Sequence, residues 1–210
     1  KYLKLAAEHK LANLDMKLEY ALTSANHEIA LKRLKDLGDH PTVHLHLARV
    51  YKKYAQFPNL KPRLKKLYQT KAMDYFQKAA TAGNTHACAD LALLHIECGN
   101  GMTNKKKQNG HYQQATNWIN TILNNETITK AEKSNCWCIQ GNLHMAKDNA
   151  HDAIKATLKA YEVDPSNYAA KESLYTYAKL LNNRESYALT TYLFENMLKI
   201  DSKLHEAHMG

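Results

Sequence analysis

His40, His44 and His46 are the residues whose type and spacing come nearest to chemistry. His40 and His44 are four apart, so one helical face could carry two imidazoles, the usual half of a zinc or copper site. No HExxH pattern surrounds them, however, and no third ligand follows by spacing. Pro41 places His40 at a helix cap, off the face that His44 occupies. His205 and His208 rate no higher, so no metal is expected. The four cysteines, Cys88, Cys98, Cys136 and Cys138, fit neither a CxxC redox pair nor a zinc ribbon. Cys136 and Cys138 point about 200° apart on a helix and cannot bridge. Buried or groove-lining free thiols are expected, which mildly favours a reducing compartment. There is no GxSxG, no glycine-rich phosphate loop and no known cysteine-nucleophile motif. Asp36 and Asp39 flank a helix end, where solvation accounts for them. The chain is expected to be no enzyme and to need no cofactor.

Charge is the other chemical resource. Lys and Arg number 29 against 20 Asp and Glu, for a net charge of +9, with 12 His in addition. Such a balance attracts nucleic acid, anionic membrane or acidic protein. The clusters Lys61, Arg63, Lys65, Lys66 and Lys105, Lys106, Lys107 lack interleaved aromatic residues for stacking bases. They read as solvated surface, so nucleic acid is not expected and membrane contact is at most peripheral. No apolar run approaches the roughly 18 to 20 residues of a membrane span. A signal-peptide pattern is lacking too, but the chain opens on Lys1 inside a helical pattern, as an excised piece would. Cytoplasm, bacterial periplasm and secretion all stay open.

The elements that carry these residues are helical. Only 7 Gly and 4 Pro punctuate the sequence, and β-branched residues rarely cluster, which predicts an all-α protein. Ala72 to Gly101 reads as the second helix (B) of one repeat, a turn at Gly83 and Asn84, and the first helix (A) of the next. Shifted back by 73 residues, the same pattern puts Tyr2 on Tyr75, Ala6 and Ala7 on Ala79 and Ala80, and Leu18 on Leu91. The chain is thus expected to begin with a B helix. A further B helix is predicted from Asn26 to Leu37, stopped by Gly38. An A helix follows His40-Pro41, with Val43, Leu47, Ala48 and Tyr51 inward. The next B helix is expected from about Arg63 to Ala82. A polar loop is then read over 102–110, before a helix from His111 to Leu123.

A small residue before an aromatic, paired Ala at the helix end, Gly, then A-x3-L-A and a closing Gly-x-Gly resemble the Sel1-like repeat. From Asn135 the pattern is similar to the tetratricopeptide repeat: Trp137, Gly141, Ala153, Ala160 and Pro165 stand 4, 12, 7 and 5 residues apart, as that motif requires. Gln140, His144 and Thr157 depart from it. At the A-helix small position, Glu19, Ala48, Ala92, Gly141 and Ala178 are separated by 29, 44, 49 and 37 residues, where a strict tetratricopeptide array gives 34. The resemblance implies one right-handed α-solenoid domain over 1–210, with a Sel1-like part over 1–124 and a tetratricopeptide part over 125–210, built of roughly eleven helices.

In such repeats the A helices line a concave groove. The resemblance places Tyr20, Arg49, Lys52, Lys53, His86, Leu93, Glu97, Asn135, Asn142, Tyr175, Lys179 and Asn182 at partner-facing positions. Asn13, Met16, Thr23, Thr42, Leu45, Ile96, Cys138, Met145 and Glu172 fall at the same positions. Amides there would hold an extended peptide by its backbone, and Arg49, Lys52 and Lys53 would favour acidic segments. Apart from Asn142, the residues of the carboxylate clamp known in some cochaperones do not match. The expected function is a non-catalytic scaffold that binds a protein or peptide in this groove. The alternative is a structural part of a larger bacterial envelope or secretion assembly, using the convex face or the repeat ends.

Overall fold

The computed structural model describes residues 13–24, 26–183 and 186–209, with side chains described as far as Ser202. The expectations placed on Tyr2, Ala6, Ala7, His205 and His208 lie outside the described positions. Among the described residues the chain is all-helical, with ten helices and no strand: α1 Leu14–Leu22, α2 His27–Asp36, α3 Pro41–Ala55, α4 Pro62–Thr81, α5 Thr85–Asn100, α6 Lys105–Leu123, α7 Lys130–Ala146, α8 Ala150–Val163, α9 Tyr168–Asn183 and α10 Tyr187–Met209.

Local signals account for the boundaries. His40 is the N-cap of α3, its Nδ1 accepting from the Thr42 amide at 3.2 Å, with Pro41 at the first helical position. That geometry suits a Pro that has no amide to satisfy. Gly38 and Gly83 take the left-handed conformation, at φ of 88° and 86°, that ends a helix and that side chains resist. Thr129 and Glu132 form a capping box at the start of α7. The stretch read as a loop over 102–110 is corrected. α6 begins at Lys105 because the Asn104 side chain accepts from the Lys107 amide at 3.1 Å. Lysine is a good helix former, and its charge at this exposed start stays solvated.

Packing divides the chain into two compact units, Lys1–Leu91 and Ala92–Gly210, the division falling within α5. In the first unit α1, α2 and α3 surround Leu18, Ala21, Leu34, Val43 and Leu47. α3 lies along α4, where Tyr51 stacks on Tyr75 with centroids 5.7 Å apart and an interplanar angle of 8°. In the second unit α7 pairs closely with α8, and α9 with α10. A helix α7 also touches A helix α9, and B helix α8 touches B helix α10, as stacked helical hairpins do. Their shared core holds Ile154, Leu158, Leu174, Leu181 and Leu193. α6 joins through Tyr112, whose hydroxyl lies 2.7 Å from Asn100 Oδ1 and 3.1 Å from the Ala146 carbonyl. Among the described residues no helix is long and apolar enough to cross a membrane.

Candidate binding face on the A helices

In the second unit two of the positions expected to face a partner stand two helical turns apart. Asn135 and Asn142 on α7 are seven residues apart, hence on one face and about 10 Å from each other. Both amides are oriented by the protein. Asn167, the residue before α9, donates its Nδ2 to Asn135 Oδ1 at 2.9 Å and to Ser134 Oγ at 2.7 Å. Its own Oδ1 accepts from the Ala170 amide at 3.2 Å. Ser134, fully buried, donates its hydroxyl hydrogen to the Ala160 carbonyl at 2.7 Å. At the other end of the face the Tyr177 hydroxyl donates to Asn142 Oδ1 at 2.9 Å. Burial pushes Tyr177 up to about 12, against a smaller opposing effect of its bond to Thr157, so it remains a neutral donor.

The consequence is chemical. With both Asn carbonyl oxygens occupied, each NH₂ is the end left over, and neither makes a hydrogen bond among the described residues. Their backbone positions, about 10 Å apart, match a three-residue step of a polyproline II segment, whose carbonyls at i and i+3 point the same way. On α9, which packs against α7, Tyr175 is 71% exposed, and Lys179 and Asn182 are exposed on the same helix face. On the second-unit part of α5, Leu93 is half-buried and Glu97 exposed.

The first-unit residues are more engaged. The Arg33 guanidinium lies 4.1 Å from the Tyr20 ring centroid and donates to the Tyr20 carbonyl at 3.2 Å, which ties α1 to α2. Arg49 pairs with Asp90 at 2.7 Å, so its charge is already compensated. Lys52 is half-buried, while Lys53 and His86 are exposed. Leu45, Ile96 and Cys138, at the same repeat positions, are 4 to 5% exposed and belong to the core. Burial pushes the Cys138 thiol up to about 11, which keeps it protonated and a poor nucleophile.

The histidines are used structurally. His44 Nε2 meets Asp39 at 2.7 Å and its ring lies against Tyr75, so it is not paired with His40. His95 Nδ1 and His111 Nδ1 are 3.0 Å apart. Among the described residues no two of the four cysteines are joined by a disulfide. Among the described residues no group of three or more His, Cys, Asp or Glu is placed to hold a metal.

Asn167 and Tyr177, which set the two amides, were absent from the sequence-derived site. Asn167 carried a signal, since an Asn two residues after Asp164-Pro165 is a natural helix cap. Tyr177 carried none, because a tyrosine on an apolar stripe reads as core.

No family model and no curated protein matches the chain. Among solved structures, one described as "MamA RS-1 ArsTM double mutant" superimposes with a TM-score of 0.58 at 12% identity, covering 96% of each chain. A likeness at that identity bears on fold alone, and the fold it supports for this chain is a TPR-like helical repeat.

Proposed function

We propose that the chain is a non-catalytic interaction scaffold whose A-helix face on α7 and α9 holds an extended segment of a partner protein. The observation that carries this reading is the pair of protein-oriented Asn135 and Asn142 amides with unused NH₂ donors, together with exposed Tyr175 and Lys179 on α9. Tyr175 supplies apolar area with little entropy to lose. Lys179 favours an acidic residue in the bound segment. Arg49 of the first unit is already balanced by Asp90 and has no part in this face.

The test is peptide selection on the full chain from a displayed random library, followed by titration of the recovered peptides. Tyr175→Ala and Lys179→Ala, both at exposed positions, are each expected to weaken binding about tenfold, or roughly 1.4 kcal/mol. Peptides that bind wild type and both variants equally would remove the face from consideration.

A second reading, a structural part of a larger assembly joined through the last hairpin, is favoured by a separate feature. Tyr187, Thr191, Phe194 and Leu198 form one exposed stripe on α10, near exposed Leu180 of α9. On that reading the full chain self-associates with rising concentration in sedimentation velocity, and Phe194→Ser with Leu198→Ser abolishes the association. A chain that stays monomeric at every concentration would sink it.

A further inference from the structure

A cleft of about 500 Å³ opens in the first unit, lined by Lys35 of α2, Tyr51 of α3, and Lys71, Asp74, Tyr75, Gln77 and Lys78 of α4. Its walls come from B helices α2 and α4 and from one inward residue of A helix α3, and none of the candidate partner residues lines it. Its volume is that of a small-molecule site.

The lining is organised. Tyr51, 3% exposed, forms part of the floor and stacks on Tyr75. The Lys71 ammonium sits 5.4 Å from the Tyr51 ring centroid and the Lys78 ammonium 5.4 Å from that of Tyr75. Both distances are within cation–π range, so the ring pair draws two cations to the wall of the cleft. Among the described residues none of Lys35, Lys71 and Lys78 forms an ion pair, and neither tyrosine hydroxyl makes a hydrogen bond. Elsewhere in this unit, Arg49 and His44 have carboxylate partners. The cleft thus gathers three uncompensated ammonium groups and two unused hydroxyl donors around a single carboxylate, Asp74.

We propose that this cleft binds a small phosphate-bearing ligand. Three cations against one carboxylate leave a surplus of two charges, which matches a dianion. The donors suit phosphate better than a carboxylate. Lysine is a point charge that contacts a tetrahedral group from any side, whereas no arginine is present to offer the planar fork that carboxylates favour. Five donors can be matched by phosphate oxygens, each of which accepts more than one bond. The cleft is too short for an extended peptide, since α4 contributes only residues 71 to 78 to its wall.

Isothermal titration of the full chain with inorganic pyrophosphate and with inorganic phosphate, at about 0.15 M salt, tests the assignment. Saturable binding at one site is expected, weakened at least ~10-fold by Lys71→Met with Lys78→Met. Lys105→Met with Lys106→Met removes the same charge from residues outside the cleft lining and is expected to leave the affinity unchanged. An equal loss in that control would mean that pyrophosphate responds to overall charge, and would overturn the site. So would citrate binding as tightly as pyrophosphate, or no saturation by either phosphate probe. Binding to phosphatidic acid vesicles with none to the soluble probes would overturn the assignment to a small ligand. Circular dichroism of each variant confirms that the helices are retained.

Discussion

Replacing Gly141 by Ala is expected to lower the unfolding free energy by about 2 kcal/mol, within the usual range for adding a methyl to a filled core. Gly141 lies on α7 where α8 crosses closest. A Cβ there would overlap Thr157 Oγ1 and come within 3.1 Å of the Ala153 carbonyl oxygen and 3.4 Å of the Tyr177 hydroxyl. Thr157 is held in turn, fully buried and donating to the same Ala153 carbonyl at 2.9 Å. A rotamer change relieves only part of the overlap, because a backbone oxygen on a packed helix has little room to retreat. Thr157→Ala removes the hydroxyl, so the double variant should recover a measurable share of the loss. Urea denaturation followed by circular dichroism, run as a double-mutant cycle, measures the coupling. Strict additivity of the two losses would show that the α7–α8 contact is not what limits this position.

Acidification provides the second large effect. His95 is 9% exposed and its Nδ1 faces His111 Nδ1 at 3.0 Å. Burial first, and the neighbouring His111 second, lower its pKa from 6.5 to about 4. The folded form therefore binds its proton less readily than the unfolded chain does. The stability that His95 contributes is complete above pH 6.5 and is lost as the pH falls from there through about 4. A shift of that size corresponds to at most ~3 kcal/mol, and about 2 kcal/mol after allowance for solvent screening. His46 and His144 are lowered as well, each chiefly by burial, and act in the same direction. Melting temperature measured from pH 7.5 down to about pH 4.5 should fall by several degrees. His95→Leu, which places an apolar group in the same buried position, should flatten part of that fall. A pH profile identical to wild type would show that the His95–His111 contact does not govern acid sensitivity.

The helices and their caps were readable because they depend on neighbours within about four residues. His40-Pro41, Gly38, Gly83 and the periodic stripes of α3, α4, α7 and α9 each carry their own signal. Gly141 was readable too, since the repeat spacing marks where two helices approach. What the spacing could not carry is pairing across the fold. Asp90 balances Arg49 from 41 residues away, and nothing near Arg49 in sequence announces it. Lys35, Tyr51 and Lys71 look like an ordinary solvated lysine, a core tyrosine and another lysine until three helices bring them together. The reading of 102–110 as a loop failed for the opposite reason. A polar composition describes solvent exposure, and an exposed helix start with an Asn cap has that composition as well.

Both tryptophans, Trp118 and Trp137, belong to the unit that begins at Ala92, whereas the stacked Tyr51 and Tyr75 belong to the other. Emission excited at the red edge of aromatic absorption therefore samples one unit alone, and circular dichroism samples both. Trp137 adds a local reading, because the Lys159 ammonium of α8 sits 3.9 Å from its ring centroid. Separation of that charge from the indole would alter its brightness and colour as α7 and α8 part. The molecule thus carries its own optical probe of whether its two units unfold together or in sequence.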